Sequence, residues 1–255
     1  MDNNFFKLRN SVVVVTGAGG QLGRTICDYF SKLGCQVIGL DQDFKEKFEF
    51  NVIEKYKVDI VNEKRIYDVL KKIIEKYKKI DVLINNAGVS TFEPFEDRNE
   101  ETFDWVMDVN LKGTFNCIKS YVNLFDKINI NKGSIINIGS IYGAISPDFR
   151  IYDENDRKNS EVYGATKAGI IQMTKYFSVH LADRNIRCNS VSPGGIFNPE
   201  NPQSEEFRKK YSFRCPMKRM ANTDEIVGAI IYLSSELASY TTGQNIIIDG
   251  GMSAW

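Results

Sequence analysis

Short apolar runs, each closed by Gly, Asn or Asp and each followed by a longer amphipathic stretch, recur along this chain. SVVVVTG (11–17), QVIGLD (36–41), IDVLINNAG (80–88), GSIINIGS (133–140), IRCNSVSPG (186–194) and QNIIIDGG (244–251) are dense in Val and Ile. Runs of this kind predict strands buried on both faces. The stretches 21–33, 63–77, 101–127, 161–184 and 223–234 have the length and patterning of helices. This alternation restricts the fold sharply. Strands joined through helices are parallel, and a parallel sheet needs both faces covered. The expected architecture is a doubly wound parallel α/β sheet, as a single domain over residues 1–255. Ligands in such sheets bind beyond the carboxyl ends of the strands, so the residues that follow each apolar run are the ones to read for chemistry.

Composition narrows the partners. The 33 Lys and Arg residues are matched by 33 Asp and Glu residues. A balanced chain offers nucleic acid and anionic lipid no general attraction, so any phosphate binding has to be local. The five cysteines (Cys27, Cys35, Cys117, Cys188, Cys215) are scattered, none in C-x-x-C spacing, and His180 is the single histidine. Neither a metal site nor a disulfide framework is expected. The start, MDNNFFKLRNS, lacks the pattern of a secretory leader, and no apolar stretch approaches the length of a membrane span. A soluble, cytoplasmic protein is the expectation. Segments 141–160 and 195–222 are long, irregular and placed after strands, which predicts an active-site insertion and a substrate lid.

TGAGGQLGRTI (16–26) follows the first strand and opens a helix. Gly17, Gly19, Gly20 and Gly23 permit a tight turn in which a pyrophosphate meets the N–H groups of the helix N-terminus. Gln21 and Leu22 lie inside the same turn. Asp41 ends the second strand, where a carboxylate accepts hydrogen bonds from ribose hydroxyls and repels a 2′-phosphate, which favours NAD. Asp59, after Val58, stands where a third strand would end and within reach of an adenine amino group; an ordinary loop carboxylate fits it equally. In VYGATKAG (162–169), Tyr163 and Lys167 have the i,i+4 spacing that stacks two side chains on one helical face, with only Gly164, Ala165 and Thr166 between them.

Taken in order, TGAGGQLG, Asp41, Asp59–Ile60, NNAG (85–88), Asn110 in VNLKG, Ser140 in NIGSIYG, YGATK (163–167), VSPGGI (191–196) and IDGG (248–251) resemble the short-chain dehydrogenases/reductases over nearly the whole chain. The resemblance implies a Rossmann-type fold and a catalytic set of Asn110, Ser140, Tyr163 and Lys167. Tyr163 would exchange a proton with the substrate oxygen while the nicotinamide accepts or delivers hydride. Lys167 would favour the phenolate and bind the nicotinamide ribose, Ser140 would hold the reacting oxygen, and Asn110 would hold a water leading to Lys167. By the same resemblance Ile60, Asn86, Ala87 and Gly88 would line the adenosine side, and Pro193, Gly194, Ile196 and Asn198 the nicotinamide side. Helices 101–127 and 161–184 resemble the family's oligomer faces, implying a homodimer or homotetramer.

Two departures stand out. Gln21 occupies a position where the shorter members carry glycine, so residues 17–23 read as the G-x-x-G-x-x-G of the longer, sugar-nucleotide-modifying branch; length, NNAG and IDGG favour the shorter branch. Ser140 and Tyr163 also stand farther apart than is usual in the family. That extra loop contains PDFRIY, which resembles a segment of bacterial dehydrogenases of surface-sugar and flagellin modification. Arg150 in the loop and Arg208, Lys209, Lys210, Arg214, Lys218 and Arg219 in the lid suggest an anionic sugar substrate, with Ser140, Arg150 and Tyr163 as its contacts. Two rival functions fit part of the pattern. A non-catalytic dinucleotide sensor or scaffold would keep the glycine turn and Asp41 alone, and an NADP-dependent sugar epimerase or reductase would fit the glycine spacing but not Asp41.

Overall fold

The computed structural model describes residues 5–45, 51–127, 131–153 and 158–254. Residues 154–157 of the expected insertion lie outside this set. Strands β1 (Val12–Thr16), β2 (Gln36–Asp41), β3 (Glu54–Lys57), β4 (Val82–Asn85), β5 (Gly133–Ile138), β6 (Ile186–Pro193) and β7 (Asn245–Ile248) form one sheet in the order β3-β2-β1-β4-β5-β6-β7. Every pairing is parallel. Order reverses between β1 and β4, which opens a crevice at the carboxyl ends of these two strands.

The first strand shows why the sheet is covered on both sides. All five residues of VVVVT are buried. Val12 and Val14 face a core with Ile66, Leu70 and Ile73 of α2 (Glu63–Tyr77), while Val13 and Val15 face Ile26 and Phe30 of α1 (Gln21–Lys32) on the opposite side. A strand with period 2 and no polar positions has no other way to exclude water. Strand β3 is the exception, with alternating half-buried and exposed residues (EKYK) as befits a sheet edge. It therefore lacks the apolar signature of the others.

The expected helix over 101–127 is interrupted. It runs as α3 (Glu100–Met107), a π-helical turn at Asp108–Lys112 and α4 (Gly113–Phe125). Single π turns inside α-helices are frequent at functional sites, and this one carries Asn110. Helix α5 (Glu161–His180) starts at Ser160, whose hydroxyl accepts the Tyr163 N–H at 3.3 Å, with Glu161 in the first turn and His180 at the end. Cap, acid and base all favour this start and direction.

The lid differs from expectation by containing a helix, α6 (Glu205–Arg214), capped by Ser204; α7 (Thr223–Ser234) follows, with a capping box between Asn222 and Glu225. Lid and insertion meet in a small third core. Ile151 and Tyr152 of the insertion pack against Phe207 and Tyr211 of α6, together with Ile141, Cys215, Met220 and Met252. The insertion is thus anchored over the carboxyl end of the sheet. Among the described residues no helix is long and apolar enough to cross a membrane, and no three His, Cys, Asp or Glu side chains gather as metal ligands.

Candidate active site

The glycine turn between β1 and α1 is built for close approach. Gly17 has φ +64°, and a Cβ there would lie 2.7 Å from the Cα of Ala87. At Gly23 a Cβ would fall 2.1 Å from the Gly17 carbonyl oxygen. Both positions exclude any larger residue. No side chain caps α1 and no acid sits in its first turn, so the positive end of the helix dipole faces the crevice unopposed. Asn86 donates to the carbonyls of Thr16 and Gly17 at 3.1 and 3.0 Å, and the Asn86 and Ala87 N–H groups both donate to the Thr16 hydroxyl at 3.1 Å. These bonds lock β4 to the turn.

The crevice has a volume of about 480 Å³ and is lined by Gly17, Gly19, Gly20, Gln21, Leu22 and Gly23 at one wall, and by Asp41, Ile60, Asn86, Ala87 and Gly88 elsewhere. Asp41 accepts the Gly19 N–H at 2.8 Å through Oδ2 and the Asp43 N–H at 3.1 Å through Oδ1. Its carboxylate is therefore fixed at the rim. Arg24 donates to the Gly19 carbonyl at 3.0 Å and pairs with Glu200. Lys45 is the one cation lining the crevice among the described residues, and it is exposed. Asp59 does not line the crevice: it accepts the Val61 N–H at 2.9 Å and borders a neighbouring depression with Gln42 and Trp105. Both carboxylates accept the N–H two residues ahead, and of the two only Asp41 lines the crevice. The cradle, the uncapped helix end and the rim carboxylate together fit a dinucleotide.

A second cleft, about 420 Å³, continues from Gln21 and Leu22 past Ser140, Tyr163 and Lys167 to Pro193, Gly194, Ile196 and Asn198. Gln21 closes one side by donating to the Phe197 carbonyl at 2.7 Å, and Asn198 accepts the Glu200 N–H at 3.0 Å. Lys167 is 4% exposed, donates to the Ile138 carbonyl at 2.9 Å and holds its Nζ 5.5 Å from the centre of the Tyr163 ring. The i,i+4 spacing does stack the two groups on one face. Ser140 lines the same cleft as Tyr163 and accepts the Tyr142 N–H at 3.1 Å.

Burial acts on both groups of the pair. Burial pushes the Tyr163 phenol above its ordinary range, with the Ser140 hydroxyl opposing it. Burial also brings the Lys167 ammonium down to about 8. A nearby cation alone would lower the phenol; withdrawal from water is the larger effect on both groups here. Asn110 is tied to the chain on both sides of the cleft. Its side chain clasps Val89, accepting from the N–H at 2.7 Å and donating to the carbonyl at 2.9 Å, and it also donates to the Thr166 hydroxyl at 3.1 Å. With its amide so committed, Asn110 fixes the chain after β4 against α5.

Arg150 requires a correction. Its side chain is 86% exposed and forms two 2.8 Å hydrogen bonds with Asp148 in the same 3-10 turn. It does not line the cleft, because the buried neighbours Ile151 and Tyr152 anchor the turn and leave Arg150 outside. The lid cations are likewise engaged at the surface: Lys209 with Glu205, Lys210 with Asp153, Arg214 with Asp148 and Arg219 with Glu225. Lys218 donates to the Phe213 carbonyl, and Arg208 lies over the Phe197 ring. The cations that suggested an anionic substrate are absent from the described lining, where Lys167 is the one charged residue.

Sequence reasoning missed the residues that do form the wall. Tyr142 and Tyr152 join hydroxyls at 3.1 Å, Asn159 donates to Tyr152 at 3.3 Å, and Tyr211 accepts the Gly195 N–H at 2.8 Å. Ser90, Phe92, Gln203 and Phe207 complete it. The tyrosines of NIGSIYG and PDFRIY were visible in sequence, but only folding joins them.

The family model described as enoyl-(acyl carrier protein) reductase matches residues 17–253. The 3-oxoacyl-(acyl-carrier-protein) reductase of Thermotoga maritima is 35% identical over 96% of this chain and 99% of its own length. Among solved structures, a short chain dehydrogenase from Leptospira borgpetersenii serovar Hardjo-bovis with bound NAD+ is 39% identical. It covers 96% of this chain and 94% of its own, with a TM-score of 0.89. The aldohexose dehydrogenase of Thermoplasma acidophilum is 28% identical, covering 98% and 97%, with a TM-score of 0.84. None of these names carries the surface-glycan role suggested by PDFRIY. Fold, motif order and these likenesses together place the chain in the short-chain dehydrogenase/reductase family of oxidoreductases.

Proposed function

We propose that the protein is an NAD(H)-dependent oxidoreductase interconverting a secondary alcohol and a ketone on a sugar-type substrate. The observation that carries this reading is the convergence of Ser140, Tyr163 and Lys167 on one cleft continuous with the glycine cradle. NAD supplies hydride acceptance, and its reduced form hydride donation. Tyr163 holds or takes the proton on the substrate oxygen, Ser140 donates to that oxygen to orient it, and Lys167 keeps a positive group within reach of the phenol. Asn110 positions α5 through Thr166 and the chain after β4 through Val89. Gln21, Leu22, Pro193, Gly194, Ile196 and Asn198 shape the nicotinamide end, and Asp41 accepts from the adenosine ribose. Asp41 at the rim supports NAD over NADP, with exposed Lys45 the one cation that lines the crevice among the described residues. The five free, buried thiols are in keeping with a reducing, cytoplasmic setting. Exposed Trp105, Tyr176 and Val179 on α3 and α5 support a homodimer or homotetramer.

The test is a pair of measurements. NAD(H) should bind at least about tenfold more tightly than NADP(H), a gap of ~1.4 kcal/mol. Tyr163→Phe should lower kcat by ~10²-fold or more with NAD affinity retained, since positioned proton transfer is worth about that much. Equal cofactor affinities would remove the role of Asp41, and near-normal turnover in Tyr163→Phe would remove the acid/base assignment.

A second reading has an observation of its own. Beyond Tyr142 and Phe92 the cleft adjoins a chamber of about 740 Å³ with an apolar wall of Pro94, Phe95, Ile145, Pro147 and Phe149. An acyl chain would suit that wall, as would the name of the Thermotoga relative, and reduction of a 3-oxoacyl thioester is the activity to compare. A kcat/KM for acetoacetyl thioester far above that for every sugar would favour it.

A further inference from the structure

Two polar atoms in the catalytic cleft are buried without a hydrogen-bond partner: Oε1 of Gln203 and Oγ of Ser90. Buried polar atoms are nearly always paired, and one left unpaired in a ligand cleft marks a place where a ligand completes the bond. The two come from different segments of the chain. Ser90 follows β4 and is held through Val89, whose N–H and carbonyl are both clasped by Asn110. Gln203 precedes the Ser204 cap of α6, and its Nε2 reaches the Ile196 carbonyl at 3.4 Å, which leaves Oε1 as an acceptor.

The rest of the wall limits what can complete them. Among the described lining residues Lys167 is the one charge, and it already donates to Ile138; Asn159, Tyr142 and Tyr152 add neutral donors and acceptors. Phe92 and Phe207 add aromatic surface. An amide acceptor and a hydroxyl beside aromatic rings suit hydroxyl groups on a carbon ring. They suit a phosphate or carboxylate less, since Gln203 Oε1 would repel it and no arginine is among the described lining residues; Arg208, whose Nε is also buried without a partner, lies over the Phe197 ring. Resting on the reading of the cleft as a sugar oxidoreductase site, we infer that Gln203 and Ser90 are specificity-determining residues for a neutral polyhydroxylated substrate. Gln203 Oε1 accepts from one non-reacting hydroxyl and Ser90 Oγ pairs with another, while Ser140 and Tyr163 hold the reacting one.

The experiment compares kcat/KM for D-glucose, D-galactose and myo-inositol with that for their singly deoxygenated analogues, for glucose 6-phosphate and for cyclohexanol. Acetoacetyl thioester reduction serves as the control for catalysis by the fold. In wild type, at least one neutral polyol should exceed a deoxy analogue and its phosphorylated counterpart tenfold or more. In Gln203→Leu and in Ser90→Ala that discrimination should fall to within about threefold, each variant losing it against a different deoxy position. A change in discrimination between two ligands does not follow from a general loss of structure. Should Gln203→Leu fail to bind NAD, Ser90→Ala decides alone. Retained discrimination in both variants overturns the inference. So does weaker NAD binding with discrimination intact, which would assign these atoms to the cofactor. A preference for the phosphorylated sugar overturns it also. If no polyol reacts or binds while the thioester is reduced, the inference and the sugar reading both fail and the acyl reading takes their place; if polyols react but neither variant alters discrimination, the inference alone fails.

Discussion

Replacing Lys167 with Met should make the cofactor-free protein more stable while abolishing its turnover. Lys167 is 4% exposed, and burial brings its ammonium from the usual 10.5 to about 8. At ~1.36 kcal/mol per pKa unit, carrying that charge in the folded chain at neutral pH costs roughly 3 kcal/mol. The lost hydrogen bond to Ile138 offsets about 0.5–1.5 kcal/mol of this. Met is unbranched, of similar reach and tolerant of irregular packing, so a net gain of about 1.5–2.5 kcal/mol is expected, or roughly 3–10 °C in Tm for a chain of this size. The pH dependence follows from the direction of the shift. The folded pKa lies below the unfolded one, so between about 8 and 10.5 the unfolded chain binds more protons and wild-type stability rises with pH. The penalty is full below that window and gone above it. The advantage of Lys167→Met should therefore be largest near neutral pH and shrink towards the upper end of the window. Urea denaturation of both proteins without cofactor, near pH 7 and near pH 10, measures it. A variant no more stable than wild type at pH 7, or a difference equal at both pH values, would refute the reasoning.

Arg150→Ala should change kcat/KM less than about twofold for any sugar, since the side chain is 86% exposed and bound to Asp148, where surface pairs contribute little. A tenfold loss in steady-state assays would return Arg150 to the substrate. Gly23→Ala sets two opposed effects against each other. Helix propensity favours Ala by ~1 kcal/mol, but its Cβ would stand 2.1 Å from the Gly17 carbonyl oxygen, and overpacking of this kind costs about 1–3 kcal/mol or more. The expected outcome is a lower Tm and weaker NAD binding, and wild-type values in thermal unfolding and cofactor titration would show that the turn yields freely.

Much of this protein was legible before folding. The buried runs of β1, β2, β4, β5 and β6 declare themselves because a central parallel strand meets helices on both faces, so most positions are apolar or small, and buried exceptions such as Asn137 and Asn189 are hydrogen-bonded. The glycine turn, Asp41 and the Tyr163–Lys167 pair are legible for a related reason: each works through local geometry, a tight turn, a strand end or one helical face, that spacing alone encodes. Strand β3 was less visible, since an edge strand is half solvated, and the π turn at Asp108–Lys112 leaves no periodic trace. What the sequence could not decide was which side chains face the substrate. PDFRIY offered an arginine and a tyrosine within three residues, and sequence favoured the charge. Tertiary packing chose otherwise: Ile151 and Tyr152 are drawn against Phe207 and Tyr211 by apolar burial, and Arg150, costly to desolvate and served by Asp148, stays in water. Gln203 and Ser90 came to one cleft by the same route, from segments more than a hundred residues apart in sequence. Backbone order follows from local pattern, whereas the inner wall of the cleft follows from a competition for burial among distant segments, which only the folded chain resolves.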